Sequence, residues 1–188
     1  MRKVTAGLFV SLDGVVESPD KWHFPYFNDE MGEAVGAAMA ASDAMLLGRV
    51  TYQEFASYWP GVSSEEQPFA AHMNDTPKYV VSTTLGEPLE WSNSTLIKRN
   101  VAEEIARLKQ QPGENIGITG SATLIRSLLR DDLIDELGLM VHPVVVGSGK
   151  RLFEDWGEPK GLELVDSKTF DTGVVYLTYG PARKEGEG

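Results

Sequence analysis

The residues with the clearest chemical potential lie at positions 116–129, IGITGSATLIRSLL. A short apolar run leads into Gly120, Ser121 and Ala122, and an amphipathic helical pattern follows. Glycine at 120 admits backbone shapes that a side chain forbids. The small residues after it let a ligand approach the main chain. A helix starting there offers free N–H groups and the positive end of its dipole, which together suit a phosphate. The same residues also describe an ordinary strand-to-helix turn, since the segment is neither a GxGxxG nor a P-loop.

Composition removes several classes of function. The chain has 188 residues, a length that suits one domain with a full-sized core. Its hydrophobic content of 41% is that of an ordinary folded protein. The net charge is -11 and no Lys/Arg cluster is visible, which argues against a nucleic-acid partner. There is no cysteine, so disulfides, thiolate nucleophiles and Cys-based metal sites are excluded. His23, His72 and His142 are far apart in sequence, and no metal site is expected. The opening apolar run is short, breaks at Ser11 and Asp13, and reads as a core strand rather than a signal peptide. No run approaches membrane-spanning length, so the expected setting is cytoplasmic.

The elements that must position the 116–129 segment follow from periodicity and turn signals. Strands are expected at 4–10, 44–47, 78–82, 94–97 and 135–146, the last interrupted by Pro143. Asn28 is expected to cap a helix, with Asp29 and Glu30 in its first turn. A second helix is expected at 51–59, and a third runs to about 110 from a capping box of Asn100 and Glu103. Strands at 162–170 and 174–179 flank Asp171-Thr172-Gly173 and read as a hairpin. Residues 1–180 form one domain in this reading, and 181–188 a flexible tail. Alternating strands and helices ending in a hairpin predict an α/β sandwich with a mostly parallel sheet and an antiparallel edge. Ligands in such sheets bind beyond the carboxyl ends of strands. Segments 11–14, 48–52, 82–84 and 120–123 all follow expected strands.

These segments also carry a family resemblance. SLDGVV at 11–16, LLGRVTYQEF at 46–55, KYVVSTTL at 78–85, ITGSATLIRSLL at 118–129 and DELGLMVHPVVVGSGKRLF at 135–153 occur in order across the chain. The set resembles the dihydrofolate-reductase-like family, in the branch of free-standing proteins similar to the reductase domain of bifunctional riboflavin biosynthesis enzymes. The resemblance implies a three-layer dihydrofolate-reductase-like sandwich and NADPH as cofactor. It assigns Gly48, Arg49 and Thr51, and Gly120, Ser121, Ala122 and Thr123, to the cofactor phosphates. It sets Ser82, Thr83 and Thr84 beside the adenosine ribose. Relatives often carry Arg in that last segment, where this chain has Thr83; Arg49, Lys98 or Arg99 would then have to meet an added 2′-phosphate. The resemblance also implies a homodimer, for which the apolar run 139–146 is the expected surface.

Hydride transfer requires a small-molecule acceptor held against the nicotinamide and a source of a proton. Asp13 and Asp29 are the candidate acids, each with a competing structural role: a turn for Asp13 and helix-end charge for Asp29. Trp22, Phe24 and Tyr52 are candidates for the walls of a substrate pocket, with core packing as the competing role. Two functions follow: an NADPH-dependent reductase of a pterin-like, pyrimidine-like or carbonyl compound, or a nucleotide-binding sensor or interaction protein with little turnover.

Overall fold

The computed structural model describes residues 1–182. Its strands are β1 (Val4–Ser11), β2 (Ser42–Gly48), β3 (Lys78–Val81), β4 (Ser94–Ile97), β5 (Asn115–Ile118), β6 (Glu136–His142), β7 (Leu162–Thr169) and β8 (Val175–Pro181). The helices are α1 (Asp29–Ala40), α2 (Arg49–Tyr58), α3 (Ala70–Asp75), α4 (Val101–Gln110) and α5 (Ala122–Arg130). All strands join one eight-stranded sheet in the order β4-β3-β2-β5-β1-β6-β8-β7. Neighbours from β4 to β6 are parallel, and β8 pairs antiparallel with both β6 and β7. The architecture is the dihydrofolate-reductase-like sandwich, mostly parallel with a C-terminal antiparallel hairpin.

Apolar residues on both faces of the central strands produce this layering. In β2, Ala44 and Leu46 join one core cluster, whereas Met45 and Leu47 join another. Successive side chains of a strand point to opposite faces, so both faces of β2 are buried. The first face is covered by α4 through Ile105 and Leu108 and by α5 through Leu124, Ile125 and Leu128. The second is covered by Tyr52 of α2 and Met73 of α3, and farther along by Met31 of α1 against Met140, Phe170 and Val174. Lys78 is wholly buried on this second face. Its ammonium donates to the carbonyls of Asn74, Thr76 and Ser92 and lies 4.3 Å from the centre of the Trp91 ring. Burial pushes this lysine down to about 8.

Several element ends differ from expectation for identifiable reasons. β6 stops at His142 because Pro143 has no N–H for the ladder. β6 also lies between β1 and β8, so Leu139 and Met140 of the 139–146 run are buried in the core, while Val145 beyond the strand is exposed. α2 starts at Arg49 because Gly48 takes the N-cap position. Asn100 makes no side-chain cap; its backbone is left-handed, with φ 54°, rather than in the extended conformation that capping residues take. The Asp171-Thr172-Gly173 turn closes the hairpin, with Gly173 at φ 86°. Pro181 belongs to β8, and the rest of the expected tail, from residue 183 onward, lies outside the described residues. Among the described residues no helix is long and apolar enough to cross a membrane.

Candidate functional site

The parallel strands deliver their carboxyl ends to one edge of the sheet. β2 lies between β3 and β5, and Gly48 of β2 pairs with Val81 of β3. The Gly48 N–H donates to the Gly120 carbonyl at 3.2 Å, tying the segment after β5 to the end of β2. Two helices therefore begin side by side, α2 at Arg49 and α5 at Ala122. Ser121 caps α5, its hydroxyl accepting from the Leu124 N–H, while no side chain caps α2. The uncapped first-turn N–H groups of α2 carry the positive end of its dipole.

Each of the two glycines makes room for the other's helix. A Cβ built on Gly120 would lie 2.6 Å from Thr51 Oγ1 and 3.2 Å from its Cγ2. A Cβ on Gly48 would collide with Ser121 Oγ and lie 3.2 Å from the Ser121 nitrogen. Gly120 is absent from the glycines at positive φ, so its freedom to adopt forbidden backbone shapes is not what the fold uses. Close approach is the reason for glycine at both positions. The Gly120–Ser121 peptide is cis.

The remaining expected cofactor residues line the same edge. Arg49 is exposed and donates to Gln53 one turn along α2. Thr123 is exposed and accepts from Arg126. Ser82 is buried, and its hydroxyl accepts from the N–H groups of Thr84 and Leu85. It therefore shapes the turn, leaving Thr83 and Thr84 exposed. The Ser82 N–H donates to the Ile97 carbonyl, which brings Lys98 and Arg99 beside that turn. A cleft of about 300 Å³ opens there, lined by Tyr79, Thr95, Lys98, Arg99, Glu104 and Arg107 among others. Sequence reading named Lys98 and Arg99 but had no signal for this cleft, because α4 and the β3–β4 edge that form it come together only in the folded chain.

The expected acids and aromatics separate into different environments. The Asp13 carboxylate accepts from Ser11 Oγ at 2.6 Å, Val146 N at 3.0 Å and Gly147 N at 2.8 Å, and lies 3.6 Å from Arg151. These donors, the Ser11 hydroxyl first, hold it well below the ordinary carboxylate range. Through these bonds the Asp13 carboxylate ties the end of β1 to the loop at 146–147, the structural role that competes with its expected role as an acid. Asp29 is exposed at the first position of α1. Glu30 beside it is committed to Lys168, 3.0 Å away.

Tyr52 is core. It is 4% exposed, its hydroxyl accepts from the Trp91 N–H, and Met45, Leu47 and Val80 surround it. It turns inward because it lies on the face of α2 that covers the sheet, so it forms no wall of a substrate pocket. Trp22 and Phe24 do come together. Trp22 is buried with its ring edge-on to His142, and Phe24 is 64% exposed and tilted over His23. His23 stacks on Phe9 of β1 with ring centres 4.7 Å apart. Both imidazoles are buried, and burial pushes both below their usual pKa. His23 Nδ1 and His142 Nε2 have no hydrogen-bond partner among the described residues. Exposed Leu12, Phe24 and Val145 continue this apolar rim at the ends of β1 and β6.

The family model described as RibD C-terminal domain matches residues 2–176. The chain belongs to the RibD C-terminal domain family. Within the family's reach lies the uncharacterized protein YyaP of Bacillus subtilis strain 168, 32% identical over 181 residues, 95% of this chain and 94% of that protein. A crystal structure from Shewanella sp. PV-4, of a protein assigned to riboflavin biosynthesis, superposes with a TM-score of 0.77 at 23% identity, over 97% of this chain and 100% of that one. Dihydrofolate reductase from Enterococcus faecalis, solved with NADP(H) and RAB-propyl, gives a TM-score of 0.62 at 16% identity, over 95% of each chain. These likenesses establish the shared fold.

Proposed function

We propose that this protein is an NADPH-dependent oxidoreductase that transfers a hydride to a small pterin-like, pyrimidine-like or carbonyl compound. Membership of a reductase-domain family supports oxidoreductase chemistry at the coarse level. The observation that carries the finer reading is the junction of Gly48 and Gly120. Two helix starts converge there with their side-chain space cleared, a form suited to a pyrophosphate. The residues fit such a group: Gly48, Arg49 and Thr51 on one side, and Gly120, Ser121, Ala122 and Thr123 on the other, would hold its phosphates. Main-chain N–H groups and hydroxyls bind phosphate without adding charge, and Arg49 adds a planar set of donors. When bound, the nicotinamide supplies the hydride.

The apolar rim of Trp22, Phe24, Leu12 and Val145 is the proposed substrate side. It offers flat apolar surface to a ring. Asp13 contributes by fixing the loop at 146–147 against the end of β1, a positioning role. The proton comes from solvent water, or from the exposed carboxyl of Asp29 if the substrate reaches α1. The cytoplasm is the proposed setting. The proposed assembly is a homodimer through the edge strand β7, where Leu164 and Val165 are 51% and 61% exposed. An exposed edge strand presents unpaired N–H and C=O groups that a second copy can meet across a two-fold axis. A solution mass near 20.6 kDa would exclude the dimer.

The test is NADPH oxidation against pterins, flavin precursors, pyrimidines and quinones, with calorimetric titration of NADPH alone. Binding with turnover on one class supports the reading. Binding without turnover on any class favours a nucleotide-binding sensor. Absence of binding overturns both.

A further inference from the structure

The segment that leads from β1 to α1 is seated on the sheet by rings. Its two 3-10 turns, Pro19–Lys21 and Phe24–Tyr26, close on themselves. The N–H groups of Lys21, Trp22, His23, Tyr26 and Phe27 all donate to carbonyls of residues 18–24. The contact with the sheet is made by aromatic side chains. His23 stacks on Phe9 of β1 at 4.7 Å, and Trp22 and Tyr26 stand edge-on to His142 of β6 at 5.2 and 5.9 Å. The Tyr26 hydroxyl adds a long bond of 3.5 Å to the Pro143 carbonyl. The seat is thus a pair of imidazoles, one on the segment and one on the sheet, with ring centres 6.2 Å apart. They are 8% and 0% exposed. His142 Nδ1 lies 2.8 Å from the Met140 carbonyl, so a proton there leaves Nε2 as a bare acceptor. Neither that nitrogen nor His23 Nδ1 has a hydrogen-bond partner among the described residues. Two buried imidazoles with bare nitrogens fit this seat only while both are neutral.

The charges around the seat are committed elsewhere or too weak to hold a proton there. On the segment itself, Asp20 favours a charged His23, but burial and His142 outweigh it. Lys21 is exposed, and Glu17 accepts from the Lys150 N–H. At the end of β1, Asp13 is taken up by Ser11, Val146 and Gly147, with Arg151 beside it. On α1, Glu30 is paired with Lys168 of β7 and Asp29 is exposed. On β6, the groups that favour a charged His142 are the main-chain carbonyls of Met140 and Val10, and burial outweighs them. Two cations 6.2 Å apart among rings would repel with little screening. We propose that residues 18–27 form an acid-released flap: protons taken up by His23 and His142 detach it from the ends of β1 and β6. Trp22 and Phe24 leave with it, so acid dismantles a wall of the proposed substrate side. That consequence for the site rests on the proposed function, whereas the release does not. Ser18, left-handed at φ 47°, marks one end of the flap, and Asn28, which caps α1 through the Met31 N–H, marks the other. In the open form both imidazoles keep their protons and meet water.

Amide hydrogen exchange of the whole protein, corrected for the intrinsic rate at each pH, reads the release. A histidine in water titrates near about 6.5, so a series from about pH 7.5 to about pH 5 brackets the change. Protection of the flap amides should fall by about tenfold or more across the series, since each proton taken up contributes up to about tenfold per pH unit. Low urea should leave that exchange unchanged, the mark of a local opening, while amides of β1 and β5 stay better protected and respond to urea. His23→Phe and His142→Phe keep a ring in each place and remove its titration. His23→Phe alone should retain at most a one-proton dependence, and the double variant should hold its flap protection through the series. Once an acceptor is found, its KM should rise in acid in wild type and not in the double variant, with the KM for NADPH unchanged in both. Flap protection that is independent of pH overturns the proposal. Flap amides as protected and as urea-sensitive as those of β1 also overturn it, because the segment then opens only with the whole fold. A pH dependence that persists in full in His23→Phe and in the double variant assigns the proton to another group and overturns it as well. A flap that is released in acid with no rise in the acceptor KM overturns its role at the substrate side. A flap that is released in acid in a protein that oxidises NADPH with no acceptor overturns the proposed function and leaves the acid release standing.

Discussion

Gly120→Ala tests the packing at the heart of the candidate site. The added methyl would lie 2.6 Å from Thr51 Oγ1 and 3.2 Å from Cγ2. Thr51 is β-branched and in the first turn of α2, so its side chain has few rotamers into which to retreat. Overpacking of this kind costs about 1–3 kcal/mol. Gly120 is not at positive φ, so alanine recovers about 0.4–1 kcal/mol by restricting the unfolded chain. A net loss of about 1–2 kcal/mol remains, which for a chain of this size lowers Tm by about 2–8 °C. Thr51→Ala removes both offending atoms and leaves only Thr51 Cβ, at 3.4 Å, in ordinary contact. The double variant should therefore recover most of the loss, giving a coupling of about 1 kcal/mol in a double-mutant cycle. Gly48→Ala should behave differently. Its clash includes the Ser121 backbone nitrogen at 3.2 Å, so Ser121→Ala should rescue it only in part. Urea unfolding of the variants decides the matter. Additive losses for Gly120→Ala and Thr51→Ala, or a Gly120→Ala protein as stable as wild type, would refute close approach as the reason for glycine.

The other predictions concern buried and tied groups. Lys78 is pushed from 10.5 to about 8, so the unfolded chain binds more protons between those values. Stability should thus rise with pH from 8 toward 10.5 in wild type and not in Lys78→Met, measured by the urea midpoint. Lys78→Ala should cost about 2–5 kcal/mol at neutral pH, from the vacated volume and the carbonyls of Asn74, Thr76 and Ser92 left without their donor. His23 and His142 are pushed down by burial, so the unfolded state takes up protons first as pH falls through about 6.5. Stability should fall from that pH downward, with Trp22 fluorescence reporting the change; His23→Phe should blunt the fall, and an identical profile in that variant would exclude His23 as a contributor. Asp13→Asn should lower Tm near neutrality and leave the acid limb of the stability profile shallower, because the lowered carboxylate stabilises above its unfolded pKa and is lost as pH falls. If Tm is unchanged in Asp13→Asn, the tie to Val146 and Gly147 contributes nothing.

What the sequence alone determined is the part of the molecule governed by local rules. Double-sided apolar strands such as residues 44–47, the Asp171–Gly173 turn and the Asn28 cap are legible because periodicity, glycine placement and side-chain length act within a few residues. The ordered set of short motifs carried the family and, with it, the fold. Element ends were displaced where a neighbour decided them: Gly48 became a cap because the Gly120 carbonyl takes its N–H, and Asn100 failed as a cap because its backbone went left-handed. Roles of single polar or aromatic residues depended on tertiary structure throughout. Asp13 meets the N–H groups of Val146 and Gly147 only after β1 and β6 pair. Tyr52 and Trp22 read alike in sequence, but one faces the sheet interior beneath α2 and the other the rim beside His142. The cationic cleft at Lys98 exists because α4 folds back over the β3–β4 edge, bringing Arg107 to residues that precede it in the chain. Hydrogen-bond partners, burial and local field are properties of groups distant in sequence, and only the folded chain brings those groups within reach.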